Sequence, residues 1–252
     1  MKKISQLFRF TLVVLFWCLL WQITSTLVIK DETLFPSTTS ILKNSFSLSF
    51  VNLNIIPHLI ASFERYLLAL IIAAPAAILT AILIAGSSTF RWIFYPIINV
   101  TYPLPKVALF PFLLLIFGIS DSAKIAMIFL GMYFLLFLSM YSGLTRTLNG
   151  QLGDIIKSYR ISGLNYWYHF MFKGCLQYFY IGLQTALGYG LTLVVVSEIS
   201  LTKSGLGYFI WSAWDSFRIL DLYSGLFILA MIGYLINLLC DFLIQKSTIH
   251  EK

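Results

Sequence analysis

Six stretches of this chain are long and apolar, and short polar or turn-forming segments separate them. Each approaches the roughly 20 residues that a helix needs to cross a hydrocarbon core. They predict membrane-spanning helices at about residues 10–29, 65–85, 95–117, 123–144, 176–196 and 222–244. The first run ends at Lys30-Asp31-Glu32, before the turn-forming cluster Phe35-Pro36-Ser37-Thr38. The second stops at Gly86-Ser87-Ser88. Pro103, Pro105 and Pro111 break the third, and Gly118 to Asp121 makes a tight turn before the fourth. Residues 41–62 are mixed in character and read as interfacial. Residues 197–220 read as a second mixed loop, and a short polar tail comes after the last run.

The longest polar interruption covers residues 145–173. Within it Leu152, Ile155, Ile156 and Tyr159 fall at helical spacing on one face, with Asp154, Lys157 and Arg160 on the others. Leu164, Trp167, Tyr168 and Met171 repeat the spacing. Such a segment either lies on lipid headgroups or offers an apolar face to a groove on a partner.

Composition strengthens the membrane reading. Hydrophobic residues make up 59% of the 252 and charged residues 11%, whereas about a quarter of an ordinary soluble domain is charged. Mean hydropathy is +0.88. A surface this apolar faces lipid, so the expected fold is all-α and integral to the membrane, a single transmembrane domain over residues 1–252. The net charge of +7 then orients the chain. With the N-terminus inside, Lys2, Lys3, Arg9, Arg91, Arg146, Lys157, Arg160, Lys173, Lys246 and Lys252 are internal. Lys30, Lys43, Lys124, Lys203 and Arg218 are external, and Arg65 and Lys106, within or near the apolar runs, count for neither side. Basic residues concentrate on the cytoplasmic side, so both termini and the 145–173 segment are expected there. No basic stripe with interleaved aromatics lies outside the apolar runs, which argues against a nucleic-acid partner. Met1-Lys2-Lys3 opens like a signal peptide, but the apolar run after it is too long and no small-residue cleavage site ends it. A retained first helix is expected.

Candidate chemistry is sparse. Cys18, Cys175 and Cys240 lie within or at the ends of apolar runs, lack metal-ligand spacing and read as small packing residues. His58, His169 and His250 are scattered and read as polar surface residues. There is no glycine loop followed by Lys-Ser or Lys-Thr to cradle phosphates, and no serine nucleophile elbow. No catalytic, cofactor or metal site is therefore expected in this chain. Small residues recur every fourth position at Ala69, Ala73, Ala77, Ala81 and Ala85, and again at Gly182, Ala186 and Gly190. Lipid supplies no hydrophobic drive for helix association, so small residues permit packing by close approach. Such smooth faces either serve packing alone or also let helices tilt during transport. Lys106 either snorkels from near the cytoplasmic end of its run or faces a cavity or partner. Glu198 has the same two readings.

Several motifs in order resemble the permease subunits of bacterial ATP-binding-cassette importers. The nearest subgroup carries sulfonates, taurine, nitrate, bicarbonate and thiamine pyrimidine precursors. Phe35-Pro36-Ser37 is similar to that family's turn after the first helix, and Ser62-Phe63-Glu64-Arg65 to its Ser-Leu-x-Arg. Pro105-Lys106-Val107-Ala108-Leu109-Phe110-Pro111 is similar to its Pro-x-x-Ala-x-x-Pro, and Ile116-Phe117-Gly118 with Lys124 continues it. Gly182 to Gly188 fit the family's fifth helix, and Glu198 and Gly205-Leu206-Gly207 fit the features after it. The family's cytoplasmic signature is Glu-Ala-Ala, three residues, then Gly. Asp154-Ile155-Ile156 takes its first place and Arg160 the glycine's, or Gly163 in a shifted register; Lys173 replaces the usual proline before Gly174.

The resemblance implies a type I importer permease with a coupling helix between the fourth and fifth spans. Leu152, Asp154, Ile155, Ile156, Tyr159, Arg160, Gly163, Leu164 and Trp167 would contact the ATPase. Pro105, Lys106, Pro111, Gly182, Ala186, Gly190 and Glu198, with the 205–214 loop, would line the path. Implied partners are ABC ATPase subunits that bind the ATP and Mg, a periplasmic or lipid-anchored substrate-binding protein, a second copy of the permease as a homodimer, and the lipid of the inner membrane. Two other readings stand beside it. A secondary carrier or channel would show broken helices in both halves, and the third run's prolines have no later counterpart. A lipid-acting membrane enzyme would need clustered polar residues, which are absent.

Overall fold

The computed structural model describes residues 2–199 and 202–249; His250 and Lys252 lie outside them. All regular structure among the described residues is helical. The chain clusters into two compact units, Met1–Ile60 with Thr202–Ile232, and Ala61–Leu201 with Gly233–Lys252.

In the first unit, α1 (Lys2–Ile23) runs on as a π-helical turn over Thr24–Ile29. Lys30 ends it in the left-handed region, its N–H donating to the Ser25 carbonyl. The return of the chain is stitched to this helix. Trp21 Nε1 donates to the Pro36 carbonyl at 3.1 Å, Ser25 Oγ to that of Phe35 at 2.7 Å, and the Trp21 and Phe35 rings stack at 4.2 Å. Ser37 then caps α2 (Thr38–Phe46) by accepting from the Ser40 N–H. The expected interfacial stretch is thus a helix and a π-helical turn, Ser47–Val51. The expected loop 197–220 likewise contains a helix, α10 (Leu206–Asp215), opened by Gly205 at φ 116°. Leu48, Ile55, Leu206 and Phe209 form the core of this unit. His58, expected as a polar surface residue, is half-buried: its Nδ1 accepts from the Gly205 N–H at 3.2 Å, and its ring sits near Tyr208 and Phe209.

The second unit holds most of the remaining length of α3 (Ile56–Gly86), followed by α4 (Ser88–Thr101), α5 (Phe110–Phe117) and α6 (Asp121–Leu148). Among the described residues, five helices are long and apolar enough to cross a membrane: Leu12–Ile29, Ile56–Gly86, Asp121–Leu148, Tyr178–Ile199 and Ile219–Phe242. The third expected span is not one helix. It is α4 and the segment Lys106–Phe117, bent by 95° between them. Pro103 and Pro105 sit at the bend, where their rings exclude helix and their nitrogens donate nothing. Pro111 does not break a helix but starts α5, where a missing N–H is harmless. Gly118, at φ 68°, makes the expected turn into α6.

The polar interruption at 145–173 is also more ordered than expected. The fourth span continues to Leu148, a short α7 occupies Gln151–Ser158, and helix resumes at Gly163. From there α8 (Gly163–Asn165), a π-helical stretch (Tyr166–Phe172) and α9 (Lys173–Ile199) succeed one another without a gap. The last helix, α11, is Ile219–Ile249.

The pairing of α6 with α9 organises this unit. Glycines set its closeness: a Cβ on Gly143 would lie 2.1 Å from the Tyr178 ring, and one on Gly190 2.1 Å from Met132 Cε. Ala69, Ala73, Ala77 and Ala81 are wholly buried in the same cluster as Met127, Met132 and Leu136. Packing of small residues against larger ones is therefore what these repeats do within the chain. Gly182, Ala186 and Gly190, expected to line a path, face the bundle instead: Ala186 is buried, and Gly182 and Gly190 abut Ser139 and Met132 of α6.

Candidate functional site

Three local arrangements of the second unit carry unusual chemistry. The first is α7. A helix of eight residues cannot hold itself together in water, so its packing decides its form. Gly153 and Ile156 face inward. Gly153 is so close to the end of α6 that a Cβ would fall 1.7 Å from the Leu148 carbonyl oxygen. Ile156 therefore leaves the exposed face to which its spacing assigned it. What remains outside is the stripe Leu152, Ile155 and Tyr159, the last 79% exposed. Asp154 lies in the first turn, where a carboxylate suits the helix dipole.

The end of α7 explains the place of Arg160. Its N–H donates to the Lys157 carbonyl at 3.2 Å, and the Ile161 N–H reaches back to Ile156 at 3.0 Å. This pair of bonds is a Schellman closure, which demands a left-handed residue and favours glycine. Arg160 adopts φ 49°. It takes the glycine's conformation as well as the glycine's place in the ungapped register. Gly163 is also left-handed, at φ 67°, and opens the next helix. Leu164 projects outward at 88% exposure, whereas Trp167 turns back toward the bundle beside the fully buried Met171.

The second arrangement is the bend. Breaking a helix at membrane depth frees carbonyls that lipid cannot satisfy. Lys106 supplies what the prolines lack. Its Nζ donates to the carbonyls of Thr101, Tyr102 and Leu104 at 2.9, 2.9 and 3.0 Å, and lies 4.1 Å from the Phe134 ring centroid. At 4% exposure it does not snorkel. Beside it opens a cleft of about 420 Å³ lined by Tyr102, Pro105, Lys106, Phe134, Thr185 and Tyr189 among others.

The third is a buried ion network. Glu198, fully buried, accepts from Arg65 Nη1 at 2.7 Å and from Ser62 Oγ at 2.8 and 2.9 Å. Arg65 Nε also donates to Asp121 at 3.0 Å, and Lys124 reaches the same carboxylate oxygen at 2.9 Å. The network joins α3, α6 and α9 at the end of the helices remote from α7. Glu198 thus faces a partner inside the protein and not an open passage. The sequence offered a signal for this grouping. Spans alternate in direction, so charges at the starts of the second and fourth and the end of the fifth lie on one side.

With five apolar helices and one bent pair among the described residues, all of whose regular structure is helical, this is a multi-pass membrane protein. It belongs to the family of binding-protein-dependent transport system inner membrane components, whose pattern matches residues 73–246. Among its relatives, the taurine transport system permease protein TauC of Escherichia coli is 27% identical over 86% of this chain and 80% of its own length. The formylaminopyrimidine transport permease protein ThiX of Halalkalibacterium halodurans is 26% identical over 93% of this chain and 92% of its own. The nitrate import permease protein NrtB of Leptolyngbya laminosa is 25% identical over 76% and 68%. The chain is accordingly the permease subunit of an ATP-binding-cassette importer, a transport component of the inner membrane and not an enzyme. Membership replaces the readings as a secondary carrier, a channel or a lipid-acting enzyme. A binding-protein-dependent system also entails a substrate-binding protein and ATPase partners.

Proposed function

We propose that α7 is the coupling helix of this importer and that the cleft at the bend belongs to the solute path. The observation that carries the first part is the exposed stripe Leu152, Ile155 and Tyr159 on a helix whose other face is fixed to α6. An apolar stripe on a held helix suits a groove on a soluble partner. Asp154, Arg160 and Leu164 border it, and Gly163 sets the direction of the chain beyond it. ATP and Mg are bound by that ATPase partner and not by this chain.

The second part is supported by the position of polar groups at membrane depth. Tyr102, Thr185 and Tyr189 line one cleft with Pro105 and Lys106. Groups of this kind are expensive in contact with lipid and belong beside water, solute or a second permease copy. We read the working unit as a homodimer in the lipid of the inner membrane, with both termini and α7 in the cytoplasm. The binding protein, periplasmic or lipid-anchored, delivers a small solute of the size class for which the relatives are named.

Replacing Ile155 and Tyr159 together by aspartate tests the docking surface. The permease is expected to accumulate normally in the membrane and to lose its ATPase in co-purification. Retained association and retained uptake would sink the assignment. A cysteine replacing Ser158 is expected to react with an impermeant maleimide only in permeabilised cells; reaction from outside would reverse the orientation.

A further inference from the structure

We infer that Trp167 is a positioning residue: it carries displacement of α7 to the bent span through its contact with Gly86. The inference rests on α7 being the ATPase contact.

Gly86 is the last residue of α3. A Cβ there would lie 2.8 Å from both Cη2 and Cζ3 of Trp167 and 3.1 Å from Met171 Cε. The indole thus rests on bare backbone, with no side chain between. Trp167 and Met171 are one turn apart on the π-helical stretch that begins three residues after Gly163. Only the short link 159–162 separates that helix from α7, and Arg160 within it is already spent on closing α7. A packed contact of this kind transmits displacement because interiors resist compression.

On the other side of the contact, the corner between α3 and α4 is tied into one piece. Arg91, from the first turn of α4, donates through Nε to the Ile84 carbonyl at 3.2 Å and through Nη2 to that of Ala85 at 2.8 Å. These are among the last carbonyls of α3, which have no helical partners of their own. Whatever moves Gly86 therefore moves the start of α4. The far end of α4 is the bend, held by Lys106 on the carbonyls of Thr101, Tyr102 and Leu104. The contacts form a continuous series: α7, Trp167, Gly86, Arg91, α4, Lys106. They end at the cleft that we assign to the solute path.

The sequence supports a discriminating test. Gly86 has ordinary helical backbone, so Gly86→Ala adds a methyl and strains nothing else in the main chain. Trp167→Phe shortens the ring that the methyl would strike. The experiment uses the permease–ATPase complex in nanodiscs, with the three native cysteines replaced by alanine and Leu104→Cys at the bend. The readout is the rate of labelling by a water-soluble maleimide, with and without a non-hydrolysable ATP analogue. Co-purified ATPase is measured in the same samples. In the parent, nucleotide is expected to change the rate about fivefold or more, the usual scale of coupling between sites. Gly86→Ala and Trp167→Ala are each expected to abolish that response with the ATPase still bound. The double variant Gly86→Ala/Trp167→Phe is expected to regain it, a reciprocity that general loss of stability does not produce.

A full nucleotide response in both single variants would overturn the inference, as would a parent that binds ATPase and nucleotide yet shows no response at Leu104→Cys. Loss of the ATPase itself from Trp167→Ala would also overturn it, because Trp167 would then belong to the docking surface. If Gly86→Ala does not accumulate, Trp167→Ala and Trp167→Phe decide alone, since the indole is partly exposed. Failure of the α7 reading is seen separately, as ATPase that stays bound to the Ile155 and Tyr159 variant.

Discussion

Arg65 and Glu198 form an ion pair at 2.7 Å across 133 residues of chain, with both side chains buried. Removing one partner of such a pair leaves a lone buried charge and costs about 3–5 kcal/mol, whereas replacing both by apolar groups is often close to neutral. Glu198→Leu and Arg65→Met are therefore each expected to lower the unfolding temperature sharply in detergent. The double variant is expected to recover most of the loss. A strictly additive double variant would mean that the two charges do not depend on each other. The Arg65 bond to Asp121 is a weaker case: that carboxylate is 60% exposed, so water screens it.

Lys106→Met should affect the bend and not the docking surface. It would leave three carbonyls without the donor they now share. The Thr101 carbonyl keeps the Leu104 N–H at 3.3 Å, so the loss falls on the Tyr102 and Leu104 carbonyls, and an acceptor left unsatisfied away from water costs about 1–3 kcal/mol. The expected result is reduced thermal stability and lost uptake, with ATPase association unchanged in co-purification. Wild-type uptake by Lys106→Met would show that the bend needs no cation.

Arg160→Gly should stabilise. A non-glycine residue in the left-handed region costs about 1–2 kcal/mol, part of which glycine returns as backbone entropy. The Schellman bonds at Arg160 and Ile161 need no side chain. A small rise in unfolding temperature is expected, with ATPase association retained. A fall would mean that the arginine side chain contributes more than its backbone costs.

Gly143→Ala and Gly190→Ala should differ although both lie in the α6–α9 contact. The methyl at 190 meets the end of a flexible methionine, Met132 Cε. At 143 it meets the Tyr178 ring, whose hydroxyl is tied to Thr147 at 2.6 Å. Overpacking a rigid neighbour costs about 1–3 kcal/mol. Gly143→Ala is expected to be the more destabilising in thermal unfolding, and equal losses would contradict the geometry.

Much of this molecule is legible in its sequence because lipid imposes a simple rule on apolar length. The spans at 65–85 and 123–144 lie within α3 and α6, and the burial of the alanine repeat follows from its spacing. Legibility fails where backbone geometry depends on groups far away in the chain or on a single side chain. Three prolines mark a break near residue 103, but they do not say that Lys106 will cap it. Spacing places Ile156 with Ile155, and only the close approach of Gly153 to Leu148 turns the helix so that Ile156 faces inward. The roles of Gly86 and Arg91 escape a reading by motif, since neither belongs to one. Glu198 is ambiguous alone and becomes clear once the alternation of span directions sets Arg65 beside it.

The ion network also bears on how the protein is made. Arg65 is synthesised 133 residues ahead of Glu198. At roughly 5–20 residues per second it waits on the order of ten seconds for its buried counter-ion. During that interval Asp121, 56 residues further on, is the first carboxylate of the network to reach it. A chain cut short before Glu198 lacks the fully buried part of that network, which distinguishes an unfinished permease chemically from a finished one.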